Sequence, residues 1–327
     1  MSQQNDIPWI EKYRPVHMSD IKGNNLTLNT LDRMIENNNL AHIIFYGPSG
    51  TGKTSTILAC ARKLYKENYK SMVLELNGSE DRGINIIRDQ IKDFSTSSQF
   101  NKMNINFKLI ILDEADSMTY DAQFALRRVI ETYSQYTRFC LICNYENKII
   151  AALKSRCIIF KFPPLSKIIQ LEKLKDIIIN ENINISKSGI EAIINLSDGD
   201  MRKSINLLQS LYIAIKKQIT KYQVYKYIKY PNQTHFNKLI DKIFNLEISL
   251  IDISNELYNY KINNNISIQD ILSNIVNYLI KNIKNINQYT IINIFDKLGD
   301  IEIFISIYHN EKLIITNIIS IIRLYIK

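Results

Sequence analysis

The residues able to do chemistry fall in two short runs. Gly47-Pro48-Ser49-Gly50-Thr51-Gly52-Lys53-Thr54-Ser55 places glycines, a lysine and hydroxyls at the spacing G-x-x-x-x-G-K-[ST]. Glycines let a backbone wrap phosphate oxygens, and amides at a helix start point at negative charge. Lys53 is placed to neutralise β- and γ-phosphates, and the Thr54 hydroxyl to hold Mg²⁺. The second run is Asp113-Glu114-Ala115-Asp116. Asp113 would bind the same Mg²⁺, largely through water, and Glu114 would polarise an attacking water. Asn144, closing a further apolar run, could orient that water or touch the terminal phosphate; its bland alternative is a turn cap.

Such residues need a frame. The apolar run at 42–46 reads as a buried strand before the glycine loop, and residues 55–65 as a helix after it. Residues 107–112 form a strand that delivers Asp113, and 139–143 a strand that ends at Asn144. Strands at 71–76 and 158–162 complete the set, the last stopped by Pro163-Pro164. Carboxylates at the C-terminal end of a buried strand, beside a phosphate loop, lie where open α/β sheets bind ligands. The fold class is therefore α/β, with a five-stranded parallel sheet. Thr119 can cap a helix that buries Ala122, Ala125, Leu126, Val129 and Ile130. Residues 84–94 read as a helix with Arg88 and Lys92 on its outer face, and 95–106 as a polar loop. At the front, prolines frame Trp9 and Tyr13, which predicts an extended arm rather than a helix.

Beyond residue 164 the periodicity turns helical, at 168–181, 188–196, 200–214 and 220–229. Asp200 is an N-cap there, and Arg202 sits in the first turn, against the helix dipole, which marks it as functional. After Tyr230-Pro231 the pattern is again all-helical and carries no catalytic constellation. Three domains are expected: 1–164 binding nucleotide, 165–230 a helical lid, and 231–327 a helical domain that packs on partners.

With 327 residues, 46% hydrophobic and 22% charged, the chain reads as soluble and globular, with no apolar run long enough for a bilayer and a polar start. The net charge of +9 fits either a polyanion partner or a lysine-rich solvated surface. Of the four cysteines, Cys140 and Cys143 are spaced C-x-x-C. On a strand, residues three apart face opposite sides, so these read as buried structural thiols rather than metal ligands; the other two are Cys60 and Cys157.

Taken in order, Tyr13-Arg14-Pro15, residues 47–54, residues 112–116, Ala125-Leu126-Arg127-Arg128, Asn144, Ser155-Arg156-Cys157 and Gly199-Asp200-Met201-Arg202 resemble the small subunits of replication factor C. That is the eukaryotic clamp loader, within the AAA+ ATPases. The resemblance covers 7–230 closely and the final domain loosely. It implies an AAA+ P-loop domain, a helical lid and an all-helical collar that joins subunits. It implies ATP with Mg²⁺ as cofactors. Other replication factor C subunits, a sliding clamp (proliferating cell nuclear antigen) and primer–template DNA are the implied partners, and the nucleus is the implied location. It further implies Arg156 as an arginine finger for a neighbour's site, Arg202 as a γ-phosphate sensor in cis, and Asn144 as the strand-tip sensor. Tyr13 and Arg14 would lie beside the adenine. Arg82, Arg88 and Lys92 would track the DNA backbone, and the 95–106 loop would lie near the clamp. Two departures stand out. Ser49 occupies a common proline position, which should be harmless, and Gly78 replaces a usual alanine, which should loosen its turn.

Two other readings compete. Asp113 to Asp116 spells the D-E-A-D of helicases, but such motors need a second nucleotide-binding lobe where this chain reads as helical. A scaffold binding ATP only as a structural ligand, with little hydrolysis of its own, is opposed by the intact Lys53, Asp113 and Glu114.

Overall fold

Short β-branched runs bounded by polar residues become the strands, and amphipathic runs the helices. The computed structural model describes residues 7–79, 84–96, 105–229, 233–282, 287–308 and 310–326. It divides into two compact units, Met1–Ile219 and Thr220–Lys327.

The first unit runs α1 (Trp9–Lys12), α2 (Asn25–Glu36), β1 (Ile43–Tyr46), α3 (Lys53–Tyr65), α4 (Tyr69–Met72), β2 (Val73–Asn77) and α5 (Ile84–Thr96). It continues with β3 (Lys108–Asp113), α6 (Tyr120–Tyr133), β4 (Thr137–Cys143), α7 (Ala151–Lys154) and β5 (Ile158–Lys161). Helices α8 (Lys167–Asn180), α9 (Lys187–Ser197) and α10 (Met201–Ala214) follow. The sheet order is β2-β3-β4-β1-β5, and every pairing is parallel. Because β4 lies between β1 and β3, the segment after β4 falls between the glycine loop and Asp113.

Strand alternation sends each neighbour to the opposite face. Ile43, Phe45, Leu109, Ile111, Cys140 and Ile142 pack with Leu31 of α2 and Ile57, Cys60 and Leu64 of α3. Ile44, Ile110, Leu112, Leu141 and Cys143 pack with Ile91 of α5 and Leu126, Val129 and Ile130 of α6. Cys140 and Cys143 thus face opposite cores. Burial pushes the Cys143 thiol up to about 12 and that of Cys140 well above its ordinary value, so both stay protonated.

The N-terminal arm corrects an expectation. Trp9–Lys12 is one turn of helix, because Pro8 has its fixed φ, at −53°, on the N-cap side of that turn. Trp9 is buried: its backbone N–H donates to Gln209 Oε1 at 3.1 Å, and its ring lies 5.4 Å from that of Tyr212, both residues of α10. Packing on α10, rather than local extension, fixes the arm.

The three helices after the sheet start on side-chain caps. Ser166, Ser186 and Asp200 accept from the backbone N–H of Ile169, Gly189 and Lys203. Each such cap contributes about 1 kcal/mol.

The second unit comprises α11 (Lys221–Tyr227), α12 (Gln233–Phe244), α13 (Leu250–Asn264), α14 (Ile268–Lys281), α15 (Gln288–Ile307) and α16 (Glu311–Ile326). Its core includes Phe236, Ile240, Ile271, Ile275, Ile315 and Ile318. The buried Arg323 donates to the carbonyls of Ile243, Asn245 and Ile248 at 3.1, 2.8 and 2.7 Å, so a guanidinium caps the end of α12. Among the described residues, no helix is long and apolar enough to cross a membrane.

Candidate nucleotide site

The glycine loop follows β1 directly, and α3 begins at Lys53, so the loop amides gather at a helix N-terminus. Gly52 adopts φ +94°, a left-handed turn that glycine takes without strain, and a Cβ there would meet nothing within 4 Å. The backbone is therefore open to a ligand at that point. Lys53 is 7% exposed. Its ammonium donates to the carbonyls of Gly47 at 2.7 Å and Pro48 at 2.8 Å, and to Asn144 Oδ1 at 3.1 Å. Burial pushes it below its ordinary range, the Asp113 charge pulls it back up, and Arg202 pushes it down again. Asn144 is held in turn, since its own N–H and that of Tyr145 both donate to Asp116 Oδ2 at 3.2 Å.

Thr54 Oγ1 donates to Asp113 Oδ2 at 2.8 Å. A hydroxyl and a carboxylate in contact are two hard oxygen donors, a set that suits Mg²⁺ completed by water and phosphate. Glu114 has φ +53°, a left-handed backbone that costs a non-glycine residue about 1–2 kcal/mol. Strain of this kind concentrates at functional positions. Gly78, expected to loosen its turn, instead closes it. Its N–H donates to Asp113 O at 2.8 Å, and a Cβ would lie 2.8 Å from Glu114 O. The glycine lets the β2 tip press against the backbone that carries both carboxylates.

Lys53, Thr54, Ser55, Asp113, Glu114, Asn144 and Arg202 line one cleft of about 220 Å³ with Ser49, Gly50, Thr51 and Gly52. Tyr13 and Arg14 line it as well, so these sequence candidates come together. The Tyr13 hydroxyl donates to Glu181 Oε1 at 2.5 Å, and Arg14 pairs with Glu11 at 3.1 Å. The cleft also has an apolar wall, made by Ile10, Ile21, Ile169, Ile177 and Ile205, that sequence reading missed. Ile10 belongs to α1, Ile21 to the turn before α2, Ile169 and Ile177 to α8 and Ile205 to α10, and the helical ones fit the apolar stripes of their own helices. Only the tertiary fold distinguishes a cleft wall from core.

Comparison with known proteins follows the same outline. Residues 23–166 match the family described as DNA polymerase III, delta subunit, residues 172–213 the RCF1/5-like AAA+ ATPase lid domain, and residues 231–320 the replication factor C C-terminal domain. The human protein named replication factor C subunit 5 is 42% identical over 318 residues, covering 96% of this chain and 91% of the relative. The chain belongs to the replication factor C family. A Dictyostelium discoideum protein named probable replication factor C subunit 5 is 49% identical, covering 74% of this chain and 70% of the relative. Replication factor C subunit 3 of Saccharomyces cerevisiae is 50% identical over 206 residues, covering 63% and 60%. The resemblance thus falls on the subunit numbered 5 in animals and 3 in yeast. Among solved structures, the Thermotoga maritima RuvB Holliday junction branch migration motor matches with a TM-score of 0.53 at 16% identity, covering 75% of this chain and 85% of that one. That likeness shows the fold alone.

For a replication factor C family member, the position of Arg156 matters, and it lies outside the cleft. Its guanidinium pairs with Glu131 and donates to Ala152 O at 2.8 Å. Arg127 Nε donates to the same Glu131 oxygen at 3.1 Å. The hydrogen bond from Arg127, followed by the charges of Arg127 and Arg156, holds the Glu131 carboxyl below its ordinary range. A buried glutamine, also missed from sequence, ties this corner to the cleft. Gln123 donates to Met118 O at 3.2 Å and Lys148 O at 3.0 Å, and accepts from Ile150 N at 2.9 Å. It joins the segment after the acidic pair to the segment that enters α7. The available signal was a polar residue within the apolar stripe of α6. Of the DNA candidates, Lys92 is exposed on α5, whereas Arg82 and the side chain of Arg88 lie outside the described residues, as do residues 97–104 of the expected clamp-side loop.

Proposed function

We propose that this chain is an ATPase subunit of a replication factor C clamp loader, which uses ATP binding and hydrolysis to place a sliding clamp on primer–template DNA. One observation carries the reading: Lys53, Thr54, Asp113, Glu114, Asn144 and Arg202 meet in a single cleft inside a family whose members bear that name. The glycine loop and Lys53 would hold the phosphates, Thr54 and Asp113 the Mg²⁺, and the apolar wall with Tyr13 the adenine. Bound Mg²⁺ supplies charge to offset that of the phosphates. Glu114 is the base that aligns water, Asn144 orients it, and Arg202 reads the terminal phosphate.

Arg156 is offered to a neighbouring subunit's site, so turnover belongs to the assembled ring. The working division is 1–164 for nucleotide binding, 165–230 for the lid and 231–327 for the collar. The exposed apolar residues Tyr289, Ile292, Ile303 and Leu313 on α15 and α16 suit contacts with other replication factor C subunits. Arg82, Arg88 and Lys92 would meet the DNA backbone, reading shape rather than sequence. Proliferating cell nuclear antigen is the clamp and the nucleus the compartment on this reading.

Glu114→Gln tests it in the assembled loader. ATP binding should persist while turnover by this site falls by about 10²–10⁴ and loaded clamp is retained on DNA. Unchanged turnover and clamp release would make the site a structural ATP holder.

A further inference from the structure

Ser49 makes a bond that a bystander in the glycine loop would not make. Its hydroxyl donates to Asp200 Oδ2 at 2.6 Å. The other oxygen of that carboxylate, Oδ1, accepts the Lys203 N–H at 3.1 Å and so caps α10. A backbone bond runs beside them, from Met201 N to Gly50 O at 3.2 Å. The approach is close enough to exclude a side chain: a Cβ on Gly50, whose φ is +65°, would fall 1.8 Å from Asp200 Oδ1. Ser204, one turn on, shares its one hydroxyl proton between Gln170 Oε1 of α8 at 3.2 Å and Asp200 O at 3.1 Å, which ties the start of α10 to α8. Arg202 sits inside this knot, between the two residues whose amides are engaged, and lines the cleft.

We infer that Ser49 and Asp200 form a latch between the glycine loop and the first turn of α10, and that the Ser49 hydroxyl is a positioning group for Arg202. One carboxylate does two jobs, starting the helix and tying that start to the loop that would hold the phosphates. Movement of Arg202 away from the loop must therefore break the Ser49 bond and the Met201–Gly50 bond together. The inference rests on the assignment of Arg202 to the terminal phosphate.

The test uses the full chain and its Ser49→Ala, Ser49→Thr and Asp200→Ser variants. Serine at position 200 still caps a helix but is too short to serve both partners. Two readouts are followed: amide exchange at Met201 and Lys203, and the dissociation rates of labelled ADP and a non-hydrolysable ATP analogue with Mg²⁺. Ser49→Ala should speed exchange at both amides and raise analogue dissociation about three- to tenfold, the net effect of about one ordinary hydrogen bond. Ser49→Thr should restore both, and Asp200→Ser should add little on top of Ser49→Ala, since coupled partners are not additive. Wild-type exchange and dissociation in Ser49→Ala would overturn the latch. Arg202→Ala, run in parallel, separates the two ideas. If Ser49→Ala loosens the amides but Arg202→Ala dissociates ADP and the analogue in the wild-type ratio, the latch stands and the phosphate role of Arg202 fails.

Discussion

The cleft and the Arg156 corner are built from similar charged groups in opposite ways. In the cleft, Lys53 is buried and spends its protons on two carbonyls and Asn144, and Thr54 is bonded to Asp113. At the corner, the side chains of Arg156 and Glu131 are 32% and 41% exposed, and the pair is held at the surface. A charge buried and bonded as Lys53 is acts more strongly than an exposed one and is already in place when the reaction begins. Charges at the surface interact weakly and exchange partners easily. On the proposed assignment, the contrast suits a site shared between subunits: a fixed lysine in cis, and an exchangeable cation to lend.

Arg156→Ala should produce the largest effect that breaks this contrast. An arginine supplied to another subunit's phosphates contributes about 10³–10⁵ in rate. Turnover at the neighbouring site of the assembled complex should fall on that scale, while this chain keeps its own ATP affinity. Single-site turnover measured in the complex checks it. Normal turnover would remove Arg156 from the chemistry.

Gly78→Ala sharpens the cis side. The added Cβ would press on Glu114 O at 2.8 Å and Met118 Cγ at 3.0 Å. Overpacking of this kind costs about 1–3 kcal/mol. The backbone that must yield carries Asp113 and Glu114, so turnover should fall about tenfold, on the scale of 1.4 kcal/mol in the barrier. ATP affinity should change less than turnover, because Lys53 and the glycine loop are not displaced. Equal losses in both would assign Gly78 to stability alone.

Most of this frame was legible in the sequence because local chemistry and tertiary role coincide. A glycine loop needs a strand before it and a helix after it, and an apolar run ending in Asp113 needs a buried strand whose C-terminal end opens on the ligand side of the sheet. The caps at Thr119 and Asp200 are local for the same reason. What was missed depends on approach between distant segments. Pro8 and Trp9 read as an extended arm until α10 supplies the surface on which Trp9 is buried. Ser49 read as neutral because its partner lies 151 positions away. Gly78 read as loose because its neighbours, Glu114 and Met118, belong to another strand's exit. Gln123 and the isoleucines of the cleft wall share their helices' apolar stripes with true core residues, and periodicity cannot separate the two.

Glu131→Gln should give the smallest effect and decide how the corner works. Glu131 accepts from both Arg127 and Arg156, and its carboxyl is held ionised by them. Glutamine keeps an acceptor but loses the charge that orients the Arg156 guanidinium. Exposed ion pairs are weak and screened by salt, so neighbouring-site turnover should fall only about two- to fivefold. The deficit should shrink as salt rises, because added ions weaken the wild-type pair as well. Glu131→Asp should recover part of it. A rise in turnover would reverse the assignment: Glu131 would then hold Arg156 back, and pairing with a neighbour's phosphate would have to compete with this chain's own carboxylate.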